Sequence, residues 1–222
     1  MERSSVFDMI GPIMIGPSSS HTAGVVRIGR VGVKLLGGVP DTAEITFYNS
    51  FAQTYEGHGS DRAIVAGLLD FDTDDERIKQ SFDHAQGKLT YKFRSIGNAS
   101  TKHPNTIQLK LSRGDKKIEL EGESRGGGVI RISHVNGFNS GFTANLHTLI
   151  VTTDDAQGSI AFISDVISHD DCNIATMTVS RKGKNDIACQ IIEMDSGIHE
   201  ITLQYIKNIK WVHEVIYIPV IG

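Results

Sequence analysis

This 222-residue chain is poor in cysteine, in basic charge and in long apolar runs. Two cysteines provide neither a disulfide framework nor the spacing of a zinc site. The 22 lysines and arginines are outnumbered by 26 aspartates and glutamates, which disfavours a nucleic-acid-binding protein. No apolar run approaches the roughly 18 residues of a membrane-spanning helix, and the N-terminus lacks a signal-peptide pattern. We therefore expect a cytoplasmic protein that binds neither nucleic acid nor membrane.

A stretch rich in glycine, asparagine and serine divides the chain at residues 136–147, NGFNSGFTANLH. It lacks hydrophobic periodicity, and we interpret it as a linker between a first domain, residues 1–135, and a second, residues 148–222. The second domain alternates apolar strand and helix patterns in the order βαββαβ, the ferredoxin-like plan. The first domain mixes strands with helices, so the predicted fold class is α+β.

The first long helix is predicted over residues 20–36, and the two glycines that follow are a stop signal. Its apolar side chains recur at helical spacing on one face. A second set at the same spacing is basic, and we interpret it as a solvated outer stripe. This stripe consists of Arg27, Arg30 and Lys34.

Hydroxyl and imidazole groups crowd the start of this helix in GPIMIGPSSSHTAG, residues 11–24. Pro12 and Pro17 are expected to rigidify the approach, and one serine suffices to cap the helix. A helix N-terminus also presents free N–H groups and a partial positive charge, which attract a carboxylate or phosphate. Taken alone, the stretch is equally compatible with a redundant cap and with an anion site.

Three further polar loops in the first domain carry glycine or proline beside reactive side chains. EGHGSDRA, residues 56–63, places a histidine between glycines at a predicted helix entrance. TKHPNT, residues 101–106, precedes a strand, and SRGGGVI, residues 124–130, places three glycines before another. A lone loop histidine is more often structural than functional. Four such loops together favour a shared site, although the pattern does not show that they meet.

IGPSSSHTAG, GHGSDRA, HPNT and GGG, in this order, resemble the β subunit of the two-chain bacterial iron–sulfur L-serine dehydratases. The resemblance covers the whole chain. Its first part is also similar to the allosteric substrate-binding domain of some D-3-phosphoglycerate dehydrogenases, and its second part looks like an ACT domain. The resemblance therefore implies an N-terminal serine-dehydratase β-chain domain followed by an ACT domain.

The activity that this resemblance implies is deamination of L-serine to pyruvate and ammonia without pyridoxal phosphate. In the family, a [4Fe–4S] cluster with one open iron acts as a Lewis acid on the departing hydroxyl. Three thiolates are needed to leave one iron open, and this chain has only Cys172 and Cys189, which we interpret as buried hydrophobes. We therefore expect the partner α chain to hold the cluster, no metal ligand in this chain, and no activity of this chain alone.

Roles carry over from the family by motif. His58 is the first choice for acid–base chemistry, His21 is the alternative base, and Ser60 and Asp61 would orient the histidine or the substrate. The remaining matched positions are expected to contact L-serine: Ser18, Ser19, Ser20, Thr22, His103, Asn105, Gly126, Gly127 and Gly128.

For the second domain, the resemblance implies a small effector bound where two ACT domains associate. The expected positions are Asp155 and Gly158, near a strand-to-helix entrance, and Asn173 and Ile174, at the start of the next strand. A dimerisation module without a ligand and a cation bound by loop carbonyls remain open as alternatives. The whole chain also has a rival interpretation, a regulatory module that binds serine or another carboxylate without catalysis.

Overall fold

The computed structural model describes residues 13–16 and 18–222. Pro12 and Pro17 lie outside the described residues. The chain forms two compact units that divide between Asn136 and Gly137, with the last residue, Gly222, grouped with the first unit. The stretch 136–147, predicted as a linker, contains strand β6 (Phe138–Phe142), in which alternate residues are buried. No helix among the described residues combines the length and apolarity needed to cross a membrane.

The first unit has helices on one face of a mixed sheet. A π-helical turn at Ser19–Ala23 leads directly into the first helix, and a 3₁₀ turn at Glu76–Gln80 precedes the last one. Its helices are α1 (Gly24–Leu36), α2 (Asn49–Thr54), α3 (Ser60–Leu68) and α4 (Ser81–Ala85). Its strands are β1 (Thr42–Tyr48), β2 (Thr90–Ile96), β3 (Thr106–Arg113), β4 (Lys116–Gly126) and β5 (Val129–Val135).

These strands lie in the order β2-β1-β3-β4-β5. Only the β1–β2 pair is parallel, and β3 and β4 form a hairpin in which Arg113 faces Lys116 across the predicted RGDK turn. Alternate residues such as Ile45 and Leu109 are fully buried on the helix-facing side. Burying a side chain of this size contributes about 1.5–3 kcal/mol to the free energy of unfolding. This face therefore supplies the core of the first unit, and the core holds the loops between the helices and strands in place.

Helices α1 and α3 pack closely because both carry a glycine at their contact. A Cβ added at Gly29 would lie 2.9 Å from the backbone of Gly67, and one at Gly67 would collide with the carbonyl of Val26. The N-terminal ends of the two helices also meet, because Ser60 at the start of α3 donates to the His21 carbonyl just before α1. Those two ends carry the SSSHT and GHGSDRA motifs.

The predicted first helix is confirmed, but its outer basic stripe is not entirely solvated. Gly37 ends α1 in a left-handed conformation with φ of 86°. Arg30 and Lys34 pair at the surface with Asp70. Arg27 is instead buried, with 7% of its surface exposed, and its guanidinium bonds a backbone carbonyl. The spacing predicts the helix correctly, but it does not show that a loop carbonyl lies against Arg27.

The second unit has the predicted ferredoxin-like βαββαβ plan, which confirms the α+β class. After β6 its elements are β7 (His147–Asp154), α5 (Ser159–Ser168), β8 (Ile174–Arg181), β9 (Ile187–Met194), α6 (Glu200–Lys207) and β10 (Val212–Ile218). The strands lie in the order β10-β7-β9-β8 with antiparallel neighbours. Leu149, Val151 and Ile192 of the sheet pack with Ile163 and Ile206 of the helices in one core.

Candidate active site

The start of the first long helix is a π-helical turn rather than a regular α-helical one. Ser18 is extended and caps the turn, accepting the His21 N–H on its side-chain oxygen at 3.3 Å. The Gly24 N–H bonds the Ser19 carbonyl, which is the wider i→i+5 spacing of a π-helix. Such turns occur frequently at functional sites. Here the turn places two serine hydroxyls and an imidazole on one side of the helix entrance.

Ser18, Ser20 and His21 form one hydrogen-bonded cluster. The Ser18 and Ser20 hydroxyl oxygens lie 3.2 Å apart, and they lie 3.3 Å and 3.1 Å respectively from His21 Nδ1. All three side chains are only half-buried. The cluster therefore combines hydroxyl donors and a ring nitrogen at a helix N-terminus while remaining accessible to a small molecule.

The tautomer of His21 follows from its second partner, Thr54 of α2. The Thr54 hydroxyl donates to the Ser50 carbonyl at 2.8 Å, so its hydrogen is already committed. His21 Nε2, 3.3 Å from that hydroxyl oxygen, must then carry the donated hydrogen. In the neutral ring, Nδ1 is consequently the basic nitrogen, and it faces the two serine hydroxyls. Partial burial, and after it the nearby His58, lower the pKa of His21 below its ordinary value, which favours this neutral form.

His58 stacks beside His21 from the other motif. The two ring centroids are 4.7 Å apart, with the rings inclined by 32°. His58 Nδ1 lies 3.2 Å from the Thr54 carbonyl, which can only accept, so Nδ1 carries the hydrogen and Nε2 is the basic nitrogen. Unlike His21, His58 is exposed. One threonine thus orients both imidazoles, His21 through its hydroxyl and His58 through its carbonyl.

Two buried serines attach neighbouring elements to the turn. Ser60, at the start of α3, is fully buried and donates to the His21 carbonyl at 3.0 Å. Ser124, near the end of β4, is also fully buried and donates to the Ser20 carbonyl at 2.8 Å. A Cβ at Gly24 would collide with the Ser124 hydroxyl, so only glycine allows this approach. Ser60 therefore supports the backbone of the turn, as a positioning residue.

The HPNT loop joins the same assembly through its backbone. The Asn105 carbonyl accepts the Ser124 N–H at 3.0 Å, and the Pro104 carbonyl accepts the Ser50 N–H of α2 at 3.0 Å. His103 is half-buried, and its Nδ1 accepts the Asn105 N–H at 3.2 Å. The four loops that the sequence singled out therefore meet in the first unit, although the His103 ring is engaged with its own loop.

The Asn49 side chain hydrogen-bonds the backbone of the segment that precedes the HPNT loop. Its Nδ2 donates to the carbonyls of Ala99 and Lys102 at 3.0 Å and 3.1 Å, and its Oδ1 accepts the Ala99 N–H at 2.7 Å. Asn49 also has φ of 52°, an uncommon left-handed conformation for a residue other than glycine. It starts α2, so a single side chain links that loop to the helix that carries Thr54.

Three consecutive glycines, Gly126 to Gly128, have φ of 93°, 59° and 81°. Only glycine adopts such a run without strain. The Gly128 carbonyl accepts Arg27 Nη1 at 2.6 Å. The triple glycine therefore provides a backbone conformation that side chains would prevent, and α1 anchors it.

The other expected site residues differ in accessibility. Asp61 is half-buried, and desolvation raises the pKa of its carboxyl group, although bonds and charge from Arg62 oppose this rise. Ser19 is half-buried in the turn. Thr22 is 2% exposed, and its hydroxyl oxygen has no hydrogen-bond partner in the part of the chain that the structure describes. The segment at Gly16 lies directly against the Thr22 side chain.

The two cysteines do not fit an iron–sulfur cluster. Both lie in the second unit and are buried. Cys172 is bonded to the Gly197 carbonyl at 3.2 Å, and burial raises the pKa of Cys189 to about 11. A cluster ligand is an accessible thiolate. No group of three or more histidine, cysteine, aspartate or glutamate side chains suited to a metal occurs among the described residues.

The four residues expected at an effector site lie at opposite ends of the second unit's sheet. Asp155 and Gly158 follow the C-terminal end of β7, whereas Asn173 and Ile174 lie at the start of β8. In the register, Asp154 pairs with Ile187, but Ile174 pairs with Met194 at the far end of β9. Strand β9 has eight residues and therefore seven steps of about 3.3 Å, which separate the ends by roughly 23 Å. One copy of the chain does not bring the four positions together.

The two polar residues of this set have local hydrogen-bond partners. Asp155 accepts bonds from the Asn185 N–H and from Arg181 Nη1, both at 3.0 Å, and these bonds hold the pKa of its carboxyl group below the ordinary value. Asn173 donates to Asp195 at 2.6 Å. Gly158, with φ of 86°, precedes the first turn of α5. The side chains of Asp155 and Asn173 are therefore bonded to groups of the second unit itself.

Sequence reasoning missed four residues that organise the site. Thr54 and Asn49 lie outside the recognised motifs, Ser124 lies within SRGGGVI but has no predicted role, and Arg27 is predicted on a solvated face. The sequence offers a signal for Ser124, by its place in that motif, and for Arg27, by its place shortly after SSSHTAG. The others act through tertiary contacts that one sequence does not display.

The fold and this cluster together define the general class of the protein. It is a two-unit α+β protein with a serine- and histidine-lined site in one unit and a ferredoxin-like second unit. The family described as "Serine dehydratase beta chain" matches residues 5–134. The chain belongs to the serine dehydratase beta chain family.

Individual relatives cover nearly the whole chain. A "Probable L-serine dehydratase, beta chain" of Bacillus subtilis (strain 168) is 44% identical over 94% of this chain and 95% of its own length. An "L-serine dehydratase, beta chain" of Peptoniphilus asaccharolyticus is 34% identical over 90% of this chain and 91% of its own length. The solution structure of the ACT domain from GTP pyrophosphokinase of Chlorobium tepidum matches with 20% identity and a TM-score of 0.28, covering 32% of this chain and 83% of that domain. The observed strand order, rather than this likeness, carries the fold assignment of the second unit.

Proposed function

We propose that this chain is the β subunit of a two-chain L-serine dehydratase and that it contributes half of the active site. Together with an α chain it would convert L-serine to pyruvate and ammonia, without pyridoxal phosphate, and it would be inactive alone. The observation that carries the proposal is the convergence of His21, His58 and two serine hydroxyls at one helix entrance.

The serine-rich turn is suited to hold the substrate carboxylate. Ser18, Ser19 and Ser20 combine hydroxyl donors with the N–H groups and the positive end of a helix, both of which favour an anion. The triple-glycine loop and the His103–Asn105 segment would complete the enclosure through backbone and polar contacts. In this arrangement the α-carbon of the substrate lies near the two imidazoles.

A base must remove the α-proton, and His58 is the proposed group. Its basic Nε2 belongs to an exposed ring that can face a second chain. His21 is the alternative, with Nδ1 basic and in contact with the serine hydroxyls. Asp61 would orient His58 or the substrate, and Ser60 would act by holding the His21 backbone.

The proposed [4Fe–4S] cluster belongs to the α chain. This chain supplies only two thiols, and both are buried in the second unit. The proposal therefore assigns to this chain substrate binding, orientation and proton transfer, and no metal ligand.

The second unit is proposed to associate with a second copy and to bind a small effector, as ACT domains do. Strand β8 is an edge of its sheet. Antiparallel pairing of two β8 strands would bring the start of β8 in one copy toward the end of β8 in the other. Asp155 bonds Arg181 at that latter end, so such a pairing would unite the two halves of the effector site.

The test is to purify this chain and its α partner anaerobically, and to follow pyruvate from L-serine with each alone and with both. We expect pyruvate only from the mixture. Serine binding to this chain without turnover in any mixture would favour the rival regulatory module. Turnover by this chain alone would contradict the division of the site between two chains.

A further inference from the structure

Arg27 differs from the other basic residues of α1 because it is enclosed. Arg30 and Lys34 reach acidic groups at the surface, whereas Arg27 is 7% exposed and its Nη1 donates to the Gly128 carbonyl at 2.6 Å. A guanidinium is costly to remove from water unless it gains firm hydrogen bonds. Its burial against a loop carbonyl therefore indicates that the loop backbone needs support at this point.

The loop needs this support because it contains three consecutive glycines. Gly126, Gly127 and Gly128 all have positive φ, and glycine loses more conformational freedom on ordering than any other residue. Such a segment does not hold one conformation unless its ends are fixed. Arg27 projects from α1, whose apolar residues are almost all fully buried, and so offers a rigid support.

The opposite side of the same loop is fixed by Ser124. Its hydroxyl donates to the Ser20 carbonyl, and its N–H donates to the Asn105 carbonyl. Ser124 therefore sets the distance between the start of the loop and the serine-rich turn, and Arg27 sets the position of the end. Ser124 bonds the turn that carries Ser20 and His21, and Arg27 belongs to the helix that directly follows this turn.

We propose that Arg27 is a positioning residue that holds the Gly126–Gly128 backbone against the serine-rich turn, in the conformation that encloses the substrate carboxylate. The hydrogen bonds of Arg27 and Ser124 hold the loop whatever it binds, whereas enclosure of the substrate carboxylate rests on the proposed function. Arg125, in the loop itself, provides a matched control because it is exposed and its guanidinium bonds the Glu123 carboxylate.

The experiment compares Arg27→Met, Arg27→Lys and Arg125→Gln in the full chain. Hydrogen–deuterium exchange of peptides covering residues 124–130 reports the loop. We expect exchange at least tenfold faster in Arg27→Met, and within twofold of the unmodified chain in Arg125→Gln. Arg27→Lys retains the charge but replaces the guanidinium by one ammonium nitrogen on a shorter side chain, and it should give an intermediate rate. Unchanged loop exchange in folded Arg27→Met would overturn the proposal. If Arg27→Met does not fold, unchanged loop exchange in Arg27→Lys would overturn it instead.

Kinetics with the α chain separate positioning from general damage. We expect Arg27→Met to raise KM for L-serine at least tenfold with kcat within threefold, and Arg27→Lys to recover part of the loss. A faster-exchanging loop with unchanged KM would refute the link to the substrate. If the unmodified pair produces no pyruvate, the proposed function fails, while the exchange experiment still judges the role of Arg27 in the loop.

Discussion

The rings of His21 and His58 lie with their centroids 4.7 Å apart, and Thr54 bonds them both. The two histidines come from different motifs at the N-terminal ends of two helices that pack closely through glycines. Their proximity has a chemical consequence, because partial burial, and after it the nearby His58, lower the pKa of His21. A neutral, oriented His21 ring at neutral pH is the expected result.

The first prediction concerns the titration of His21. Its pKa is lowered by burial and by His58, so the ring should remain neutral to a lower pH than an ordinary histidine, whose pKa is about 6.5. NMR titration of the His21 ring protons in the full chain measures this directly. His58→Asn should move the midpoint upward, whereas His134→Asn, at an exposed position on β5, should leave it unchanged. A midpoint above 6.5 in the unmodified chain would be inconsistent with the described environment.

The second prediction concerns Asn49. Replacement by glycine keeps the positive φ but removes three hydrogen bonds, and we expect a loss of about 1–3 kcal/mol in the free energy of unfolding. Replacement by alanine should cost about 1–2 kcal/mol more, because alanine disfavours φ of 52°. Urea denaturation measures both. Asn185→Gly, at another positive-φ asparagine in an exposed turn, is the control and should change stability by less than about 0.5 kcal/mol. Equal stability of the two Asn49 variants would exclude the strain argument.

The third prediction concerns the cysteines. Cys172 and Cys189 are buried, and a pKa of about 11 keeps the Cys189 thiol protonated at neutral pH. Ellman's reagent should therefore label neither thiol quickly in the folded chain and both in urea. Anaerobic reconstitution of the isolated chain with iron and sulfide should produce no stoichiometric visible absorbance. Such an absorbance would remove the reason for placing the cluster on the partner.

The fourth prediction concerns self-association through the β8 edge. Val179 on β8 and Ile160 on α5 are similarly exposed, at 42% and 45%, and form a matched pair. Val179→Glu places like charges along the joined edge of two copies and should weaken association at least tenfold in sedimentation equilibrium. Ile160→Glu should leave association unchanged. The reverse result would assign the contact to the helical face instead.

Much of the architecture is already contained in local patterns. The alternation in β3 and β4 and the intervening RGDK turn predict the hairpin correctly, and the βαββαβ order predicts the second unit. The motifs also place His21 and His58 at helix entrances, as observed. These features are determined by residues that are near each other in sequence. The hydrophobic periodicity and the turn residues of a short segment are therefore enough to predict them.

The remaining features depend on residues that are distant in sequence. Arg27 and Arg30 have the same helical spacing, so periodicity places both on one outer face. Arg27 is buried because the folded triple-glycine loop lies against it, and the sequence does not show this contact. Thr54 has no feature in the sequence that marks it as the common partner of two histidines. The separation of Asp155 from Asn173 likewise follows from strand register, which the sequence pattern did not specify.

The central claim is that the His21–His58 cluster performs the proton transfer of a divided active site. The most direct measurement is anaerobic pyruvate production from L-serine by the α chain combined with a His21→Asn, His58→Asn double variant. His169→Asn, at an exposed position on the second unit, serves as the control. General acid–base groups typically contribute 10²–10⁴-fold, so we expect kcat to fall by at least about a hundredfold in the double variant and not in the control. Full turnover by a correctly folded double variant would contradict the account.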